Sequence, residues 1–468
     1  MIPRISFIFI LLLLGKFSNS QDTLNVLNSE QVLEIVRRFH PVVKQSDILI
    51  SKSRADLLIA RNPFDPIASH QALQKTFDGL NYYNFRSTEI KIPLWYGVEI
   101  NAGIENLQGG RFDPSETNGL TNYMGVKIPL LKNLLMDKRR ASLQQAKLYN
   151  GMAKVEQQAI VNNLLMDAID AYWQWVKMYQ MYIIISENVA NNQKRFDLVK
   201  KAFRNGERAA IDTLEALTQL EGFMYQQNNT KVAFQNAALQ LSAYLWTKDN
   251  EIYILPESVI PQKDWDNEPS MLNYNIILTD LLTLAEKSHP DLRMYDYKLG
   301  TLAIEKKLNF QELLPTLDVK YNQLGKGYQY NTNVLFPLLD NNFQYGLKIE
   351  MPLRLSLGRG AYQKTKLKIK ETTLSQIQKW TAIKLKIQSF YNEYENLKKQ
   401  IILQNNIYNN TLQLVRVEES RFFNGESSLF LINSRENKVL EVYEKLIETK
   451  TKYFKTMYAL QWSSGLLK

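Results

Sequence analysis

The chain has 468 residues, of which 57 are basic and 47 acidic, giving a formal charge of +10. Its content of 45% hydrophobic and 22% charged residues excludes a disordered chain and a collagen-like one. Cysteine is absent and only three histidines occur, so the sequence holds no disulfide framework, no thiol nucleophile and no histidine pair for a metal. It also lacks a Gly-rich phosphate loop and a nucleophile elbow, and we predict that the protein is not an enzyme and binds no cofactor or metal.

The first 20 residues are typical of a secretory signal peptide. Arg4 supplies a positive start, residues 5–14 form an apolar run, and small polar residues at 18–20 suit cleavage. The run is too short to span a bilayer as a helix, although a membrane-anchoring start is the alternative interpretation. We therefore expect the mature protein to leave the cytoplasm.

The remaining sequence contains one pattern twice. A His-Pro pair, a Gly-x-Lys-Ile segment leading to a proline, and a Phe-x-Asn-Gly-Glu phrase occur in the same order in both copies. They lie at residues 40–41, 125–129 and 203–207, and again at 289–290, 346–352 and 422–426. The recurrence predicts an internal duplication, with a first repeat at 21–246, a proline-containing linker at 247–272 and a second repeat at 273–468. The spacing leaves about 28 extra residues in the first copy, between Pro66 and Gly125.

Alternation of apolar and polar residues predicts two strands in each repeat, at about 94–128 and 316–351. Such strands fit an outer-membrane barrel, in which the apolar row faces lipid and the polar row faces water; a soluble β-subdomain packed on helices is the alternative. Four strands cannot close a barrel, because about eight are needed, so we expect the chain to oligomerise, and three copies would supply twelve strands. In the second repeat the predicted lipid-facing residues are Leu317, Val319, Tyr321, Phe343, Tyr345, Leu347 and Ile349.

Apolar residues spaced three and four apart predict a very long helical hairpin at the end of each repeat, at about 130–246 and 353–465. One apolar stripe runs from Val161 to Tyr182 and the other from Trp380 to Ile401. A helix of such length cannot bury its stripe alone, so we expect it to pack against partner helices as a coiled coil. The Asn-Gly pairs at 205–206 and 424–425 interrupt the pattern and predict the turn of each hairpin, since glycine readily ends a helix.

The order of helix, strand pair and long helical hairpin, given twice behind a signal peptide, resembles the outer-membrane efflux protein family, the TolC-like channel-tunnels. The matching pieces are the His-Pro starts, the Gly-x-Lys-Ile entries and the Phe-x-Asn-Gly-Glu tips, and the resemblance covers about residues 29–465. It implies a mainly α fold with a small transmembrane β part, assembled as a homotrimer with a 12-stranded β-barrel and a periplasmic α-helical barrel. It also implies an outer-membrane location with lipid contact. The implied partners are a periplasmic adaptor and an inner-membrane pump, which together export small molecules or proteins.

The resemblance also indicates two sets of candidate site residues. The hairpin tips would dock the adaptor, through Asn205, Gly206, Glu207, Asn424, Gly425 and Glu426. Asp212 and Glu215 lie on one helix face just after the first tip, and a trimer would arrange them as an acidic ring, a candidate periplasmic gate. The simpler alternative is that these acids only complement the helix dipole. The second repeat has Leu431 and Ser434 in the corresponding places, and Phe422 has no hydroxyl for a latch, so ionic closure would rest on the first repeat.

Two other functions stay open at this point. The chain could be a secreted helical coiled-coil scaffold, or a periplasmic adaptor without a pore. An adaptor would need one hairpin flanked by small β domains, whereas this sequence predicts two hairpins and two amphipathic strand pairs. Nucleic acid is not expected as a partner, since the charge of +10 forms no basic cluster on one face.

Overall fold

The structure, a computed structural model, describes residues 26–110, 117–263, 276–327 and 341–467. The predicted signal peptide and part of the predicted linker lie outside these residues. Within them, none of the helices combines the length and the apolar character needed to cross a membrane.

Helices account for most of the described chain. The first begins after Asn28, whose side chain accepts from the backbone N–H of Gln31 at 2.8 Å. The Gln31 side chain accepts in turn from the backbone N–H of Asn28 at 3.0 Å, so the two residues close a capping box. The helices are α1 (Ser29–Phe39), α2 (Pro41–Ile59), α3 (Lys138–Arg204), α4 (Ala210–Ser242), α5 (Leu278–Ser288), α6 (Pro290–Gln311), α7 (Ser356–Phe423) and α8 (Leu429–Ser463).

Two of these helices are far longer than the others, α3 with 67 residues and α7 with 68. At 1.5 Å per residue each is about 100 Å long. Each turns at an Asn-Gly pair into a shorter helix, α4 with 33 residues and α8 with 35, against which it packs. Both long hairpins expected from the sequence are therefore present in the fold.

The main core lies where the two hairpins meet. It joins α3, α4, α7 and α8 with the short helices that precede the strands in each repeat. Tyr172 from α3, and Ile387 and Tyr394 from α7, are all 1% exposed or less. Trp173 and Phe454 stack with ring centroids 4.8 Å apart, which ties α3 to α8. The apolar stripes recognised in the sequence thus form the core, as the coiled-coil interpretation predicts.

The two repeats share the same geometry at their helix boundaries. His40 and His289 each cap the following helix, with Nδ1 accepting from the backbone N–H two residues on, at 3.2 and 3.1 Å. In both cases proline occupies the start of the helix. Asn205 and Asn424 each end the long helix at φ −82° and ψ −1°. These matching geometries support the predicted duplication.

Six strands form one antiparallel sheet in the order β2-β3-β4-β5-β7-β8. A short parallel pair, β1 with β6, lies apart from it. The strands are β1 (Val26–Leu27), β2 (Ile67–Phe77), β3 (Leu80–Pro93), β4 (Glu99–Gln108), β5 (Gly119–Pro129), β6 (Ile260–Pro261), β7 (Thr316–Lys326) and β8 (Phe343–Glu350).

The prediction of four strands in the sheet is wrong, because β2 and β3 form an additional hairpin ahead of β4. This hairpin occupies much of the extra stretch between Pro66 and Gly125, so the strands of the first repeat begin near residue 67 rather than 94. Its alternation is weak, since Ile67 and Leu73 share a side of β2 with Ser69 and Gln71. A strand whose two rows are both mixed gives no clear signal of period two.

Candidate functional site

The first candidate site is the end of the two long hairpins, where the chain turns back. Gly206 and Gly425 have φ of +77° and +80°, a left-handed conformation that glycine adopts without strain. The Asn-Gly-Glu residues at 205–207 and 424–426 are exposed, so their side chains and backbone are open to a partner. All six predicted docking residues therefore lie at the turning points of the hairpins.

Contacts that the sequence did not predict join the two tips. Arg208, just before α4, donates from Nη2 to the backbone oxygen of Phe422 at 2.9 Å. Its guanidinium carbon also lies 4.1 Å from the centre of the Phe422 ring, a cation–π contact. Phe422 thus links the hairpins without a hydroxyl. Behind this contact one apolar cluster contains residues of both hairpins, Val199, Ala216, Phe422, Leu429 and Ile432.

Asp212 and Glu215, the candidate gate residues, lie near the start of α4 and are partly exposed. Arg208, a basic residue four positions before Asp212, is engaged with Phe422. In the second repeat, Leu431 and Ser434 are exposed near the start of α8. The single chain therefore brings two acids to the tip region, and a ring of acids would require further copies of the chain.

A buried ion cluster lies behind the tips, about 15 Å back along α3 from the Asn-Gly turn. Arg195 of α3 donates to Glu419 of α7 at 2.7 Å and to Glu436 of α8 at 2.6 Å. Burial lowers the pKa of Arg195, but hydrogen bonds and the negative charge of Glu436 and Glu419 outweigh it and raise this pKa above its ordinary value. Asn192, 2% exposed, completes the cluster by donating to Glu436 at 3.3 Å. Among the described residues, no group of three or more histidine and acidic side chains is placed to hold a metal ion.

The second candidate site is the sheet, whose two sides differ in chemistry. On one side the residues that pair across neighbouring strands are charged, for example Glu99 with Lys127 and Asp318 with Lys348. Lys127 on β5 also forms an ion pair with Asp318 on the neighbouring strand β7, with Nζ 3.6 Å from Oδ2. Charged side chains from five of the six strands line one concave surface on this side. This side of the sheet suits contact with water.

The other side of the sheet is apolar in β7 and β8. The register of these strands puts all the predicted lipid-facing residues on it, Leu317, Val319, Tyr321, Phe343, Tyr345, Leu347 and Ile349. In the single chain the members from β8 are exposed, Tyr345 to 74% and Ile349 to 69%. An exposed apolar surface of this extent indicates a contact with a membrane or another protein.

One family model matches strands β4 and β5 and the long helical hairpin of the first repeat. Residues 99–245 match the model of the outer membrane efflux proteins. The resemblance predicted from the sequence is confirmed. The matched segment begins at β4, so the additional hairpin of β2 and β3 lies ahead of it. Among curated proteins, none matches the chain significantly.

Solved outer-membrane channels share the fold over nearly the whole chain. VceC from Vibrio cholerae superposes with a TM-score of 0.64 at 12% identity, covering 93% of this chain and 96% of its own. CmeC from Campylobacter jejuni superposes with a TM-score of 0.62 at 14% identity, and the match covers 94% of this chain and 86% of CmeC. MtrE from Neisseria gonorrhoeae, in its open state, superposes with a TM-score of 0.63 at 12% identity, and the match covers 94% of this chain and 89% of MtrE. At these identities the likeness establishes the fold.

Proposed function

We propose that this chain is the outer-membrane channel of a tripartite export system, which passes small molecules or proteins from an inner-membrane pump to the exterior. The observation that carries the proposal is the combination of a two-sided sheet with two hairpins about 100 Å long that end in exposed tips. The match to the efflux protein model and the shared fold of solved channels support it.

The channel requires several copies, since over the residues that the structure describes the six-stranded sheet is open, with a free edge at β2 and at β8. We infer a homotrimer, the state that the family resemblance implies. In this assembly the apolar side of the sheet faces the lipid of the outer membrane and the charged side faces the lumen. The helical hairpins cross the periplasm, and their tips meet the adaptor.

A secreted scaffold or an adaptor without a pore is not favoured. On one side of the sheet Tyr345 and Ile349 are more than two-thirds exposed. A scaffold that stays in water would leave these apolar side chains in contact with water. An adaptor would hold one helical hairpin between small β domains, whereas the described part of this chain has two helical hairpins and one large sheet. The match to the efflux protein model also includes β4 and β5 together with the helical hairpin that follows them.

The orientation in the membrane can be tested with cysteines, because the chain has none of its own. A cysteine at Gly110 or Asn341, in the loops at the far end of the sheet, is expected to react with an impermeant thiol reagent on intact cells. A cysteine at Glu207 or Glu426, in the tips, is expected to react only after the outer membrane is permeabilised. Labelling of the tips but not of the loops would overturn the proposed orientation.

The candidate gate predicts a change in ion selectivity. In a trimer, Asp212 and Glu215 would bring six carboxylates near one axis, and their repulsion must be relieved by bound cations or by protonation. Asp212→Asn combined with Glu215→Gln is then expected to reduce cation selectivity and block by multivalent cations in single-channel recordings. Folding should be nearly unchanged, because Asp212, as a first-turn acid, contributes only about 0.3–1 kcal/mol to its helix, and Glu215 lies beyond that turn.

The matched control for the gate is Glu221→Gln, which neutralises an exposed acid further along α4. This variant should conduct like the parent channel. If the double variant also keeps the parent's selectivity and is only slightly less stable, the two acids serve the helix dipole. The gate assignment then fails, and the channel function stands.

A further inference from the structure

The additional hairpin changes which edges of the sheet are free. β3 pairs with β4 along ten residues, from Asn84 with Gln108 to Pro93 with Glu99. β4 is therefore flanked on both edges, by β3 and by β5, and cannot accept a strand from another chain. In the sheet as the structure describes it, the strands with an unpaired edge are β2 and β8.

β3 continues both sides of the sheet. Its register with β4 puts Glu89 and Lys91 on the charged side, where they line the same concave surface as Asp318. Ile90 and Ile92 fall on the apolar side and are 49% and 37% exposed. From Glu89 to Ile92, β3 thus has the chemistry of a strand in the wall of a membrane channel, with charge towards the lumen and isoleucine towards lipid. Nearer the turn to β2, Arg86 and Asn84 fall on the apolar side.

The base of the hairpin is held against the rest of the chain. The turn from β3 to β4 contains Tyr96, whose ring centre lies 5.1 Å from the guanidinium carbon of Arg140 in α3. The next residue, Gly97, has φ of +76°, and a Cβ atom there would come within 2.6 Å of the Pro129 side chain. The turn therefore packs closely on the end of β5, and the hairpin enters the sheet at a fixed position.

The two free edges suit each other across copies of the chain. Because the six strands alternate in direction, β2 and β8 run antiparallel, as a continuing antiparallel sheet requires. β2 has 11 residues and β8 has 8, and neither contains proline. A long edge without proline carries unpaired N–H and C=O groups that favour pairing with another strand.

We propose that β2 of one copy pairs with β8 of the next, so that three copies close a barrel of 18 strands, six from each copy. The proposal rests on the trimeric channel proposed above and differs from the twelve strands that the family resemblance implies. Barrel diameter grows roughly linearly with strand number, so this barrel would be about 1.5 times as wide as a twelve-stranded one. Barrels of about 16–18 strands leave a water-filled channel, which would pass bulkier solutes across the outer membrane.

Disulfide cross-linking in the cysteine-free chain tests this pairing. Gln71 lies on the side of β2 that continues the charged side of the sheet. It is changed to cysteine together with one residue on the same side of β8, in three separate variants: Gln344, Gly346 or Lys348. The pairing within one chain fixes which side of the sheet each residue is on, but not which residues of β2 and β8 lie opposite each other between copies. The three variants sample three registers, and one of them is expected to bring the two thiols within disulfide distance. Oxidation in membranes should then give covalent dimers and trimers on a denaturing gel. The single-cysteine parents should give none.

A matched control places the cysteine one residue further along β2. Ala72→Cys, combined with the same β8 cysteine, puts the two thiols on opposite sides of the sheet, and no cross-link is expected. Equal cross-linking from Gln71→Cys and Ala72→Cys would overturn the proposal, because it would reflect collisions rather than an ordered strand pair.

A second cysteine pair separates the 18-stranded barrel from a twelve-stranded one. If the additional hairpin lay outside the barrel, β4 would regain a free edge. Glu105→Cys with one of the same three β8 cysteines would then link neighbouring copies, while Gln71→Cys would not. That result would overturn the proposal and leave the trimeric channel standing. If neither pair forms, the proposal fails. If the chain is also a monomer after extraction with detergent, the proposed function fails with it.

Discussion

Leu347→Arg is expected to prevent the assembled channel from inserting stably in the outer membrane. Leu347 lies in the middle of β8, opposite Val319 on β7, and is 60% exposed on the apolar side of the sheet. An arginine that faces lipid near the bilayer midplane costs about 2–4 kcal/mol, and a trimer would bear this cost in every copy. The amount of heat-resistant oligomer extracted from membranes with detergent should therefore fall sharply.

Lys348→Gln is the matched control, since it changes the next residue, which points to the charged side of the sheet. This variant should assemble like the parent chain. Tyr345→Arg, two residues away on the same side as Leu347, should reproduce the loss. If arginine on the apolar side is tolerated as well as glutamine on the charged side, β8 does not contact lipid and the sheet does not lie in the membrane.

The long hairpins could be predicted from the sequence because their signal is repeated many times. The stripe from Val161 to Tyr182 follows the helical period over several turns, and its central members Leu165 and Trp175 are fully buried. The two Asn-Gly pairs then mark the turns by the conformation they require. A residue that departs from the helical period at one position does not hide a pattern that extends over so many turns.

The additional strands could not be predicted, because a short strand carries few side chains and its alternation is easily lost. In β3 the apolar row of Ile90 and Ile92 continues into Thr88, Arg86 and Asn84, so the alternation fades towards the loop end. What makes β3 a strand is its ladder of backbone bonds to β4, and that pairing leaves no mark in the residue types. The extra length of the first repeat was visible, but its structure was not.

The contacts between the tips also could not be predicted from the sequence. Arg208 and Phe422 are 214 residues apart, and their contact depends on how the two hairpins pack. A search for a hydroxyl or a paired acid overlooks Phe422, since it contributes a backbone carbonyl and the face of its ring. The same holds for Arg195 and Glu436, which belong to different repeats and meet only in the folded chain.

Arg195→Met is expected to destabilise the tip end of both hairpins by about 3–5 kcal/mol, the usual cost of breaking a buried ion pair. The side chain of Glu436 is 8% exposed and would keep its charge without a cation at hydrogen-bond distance. Hydrogen exchange of the backbone amides of α8 around Glu436 measures this local loss. Because about 1.4 kcal/mol corresponds to a factor of ten, protection should fall by at least about 100-fold.

Two further variants show whether the buried charge is responsible. Lys438→Ala removes an ion pair of similar length on the same helix, 2.7 Å to Glu441, but both side chains are exposed, and no measurable change is expected. Adding Glu436→Met to Arg195→Met removes the unpaired carboxylate and should restore much of the protection, since replacing a whole buried pair by apolar residues is often close to neutral. If the single and double variants lose the same protection, the tips depend on packing around the Arg195 side chain and not on the ion pair.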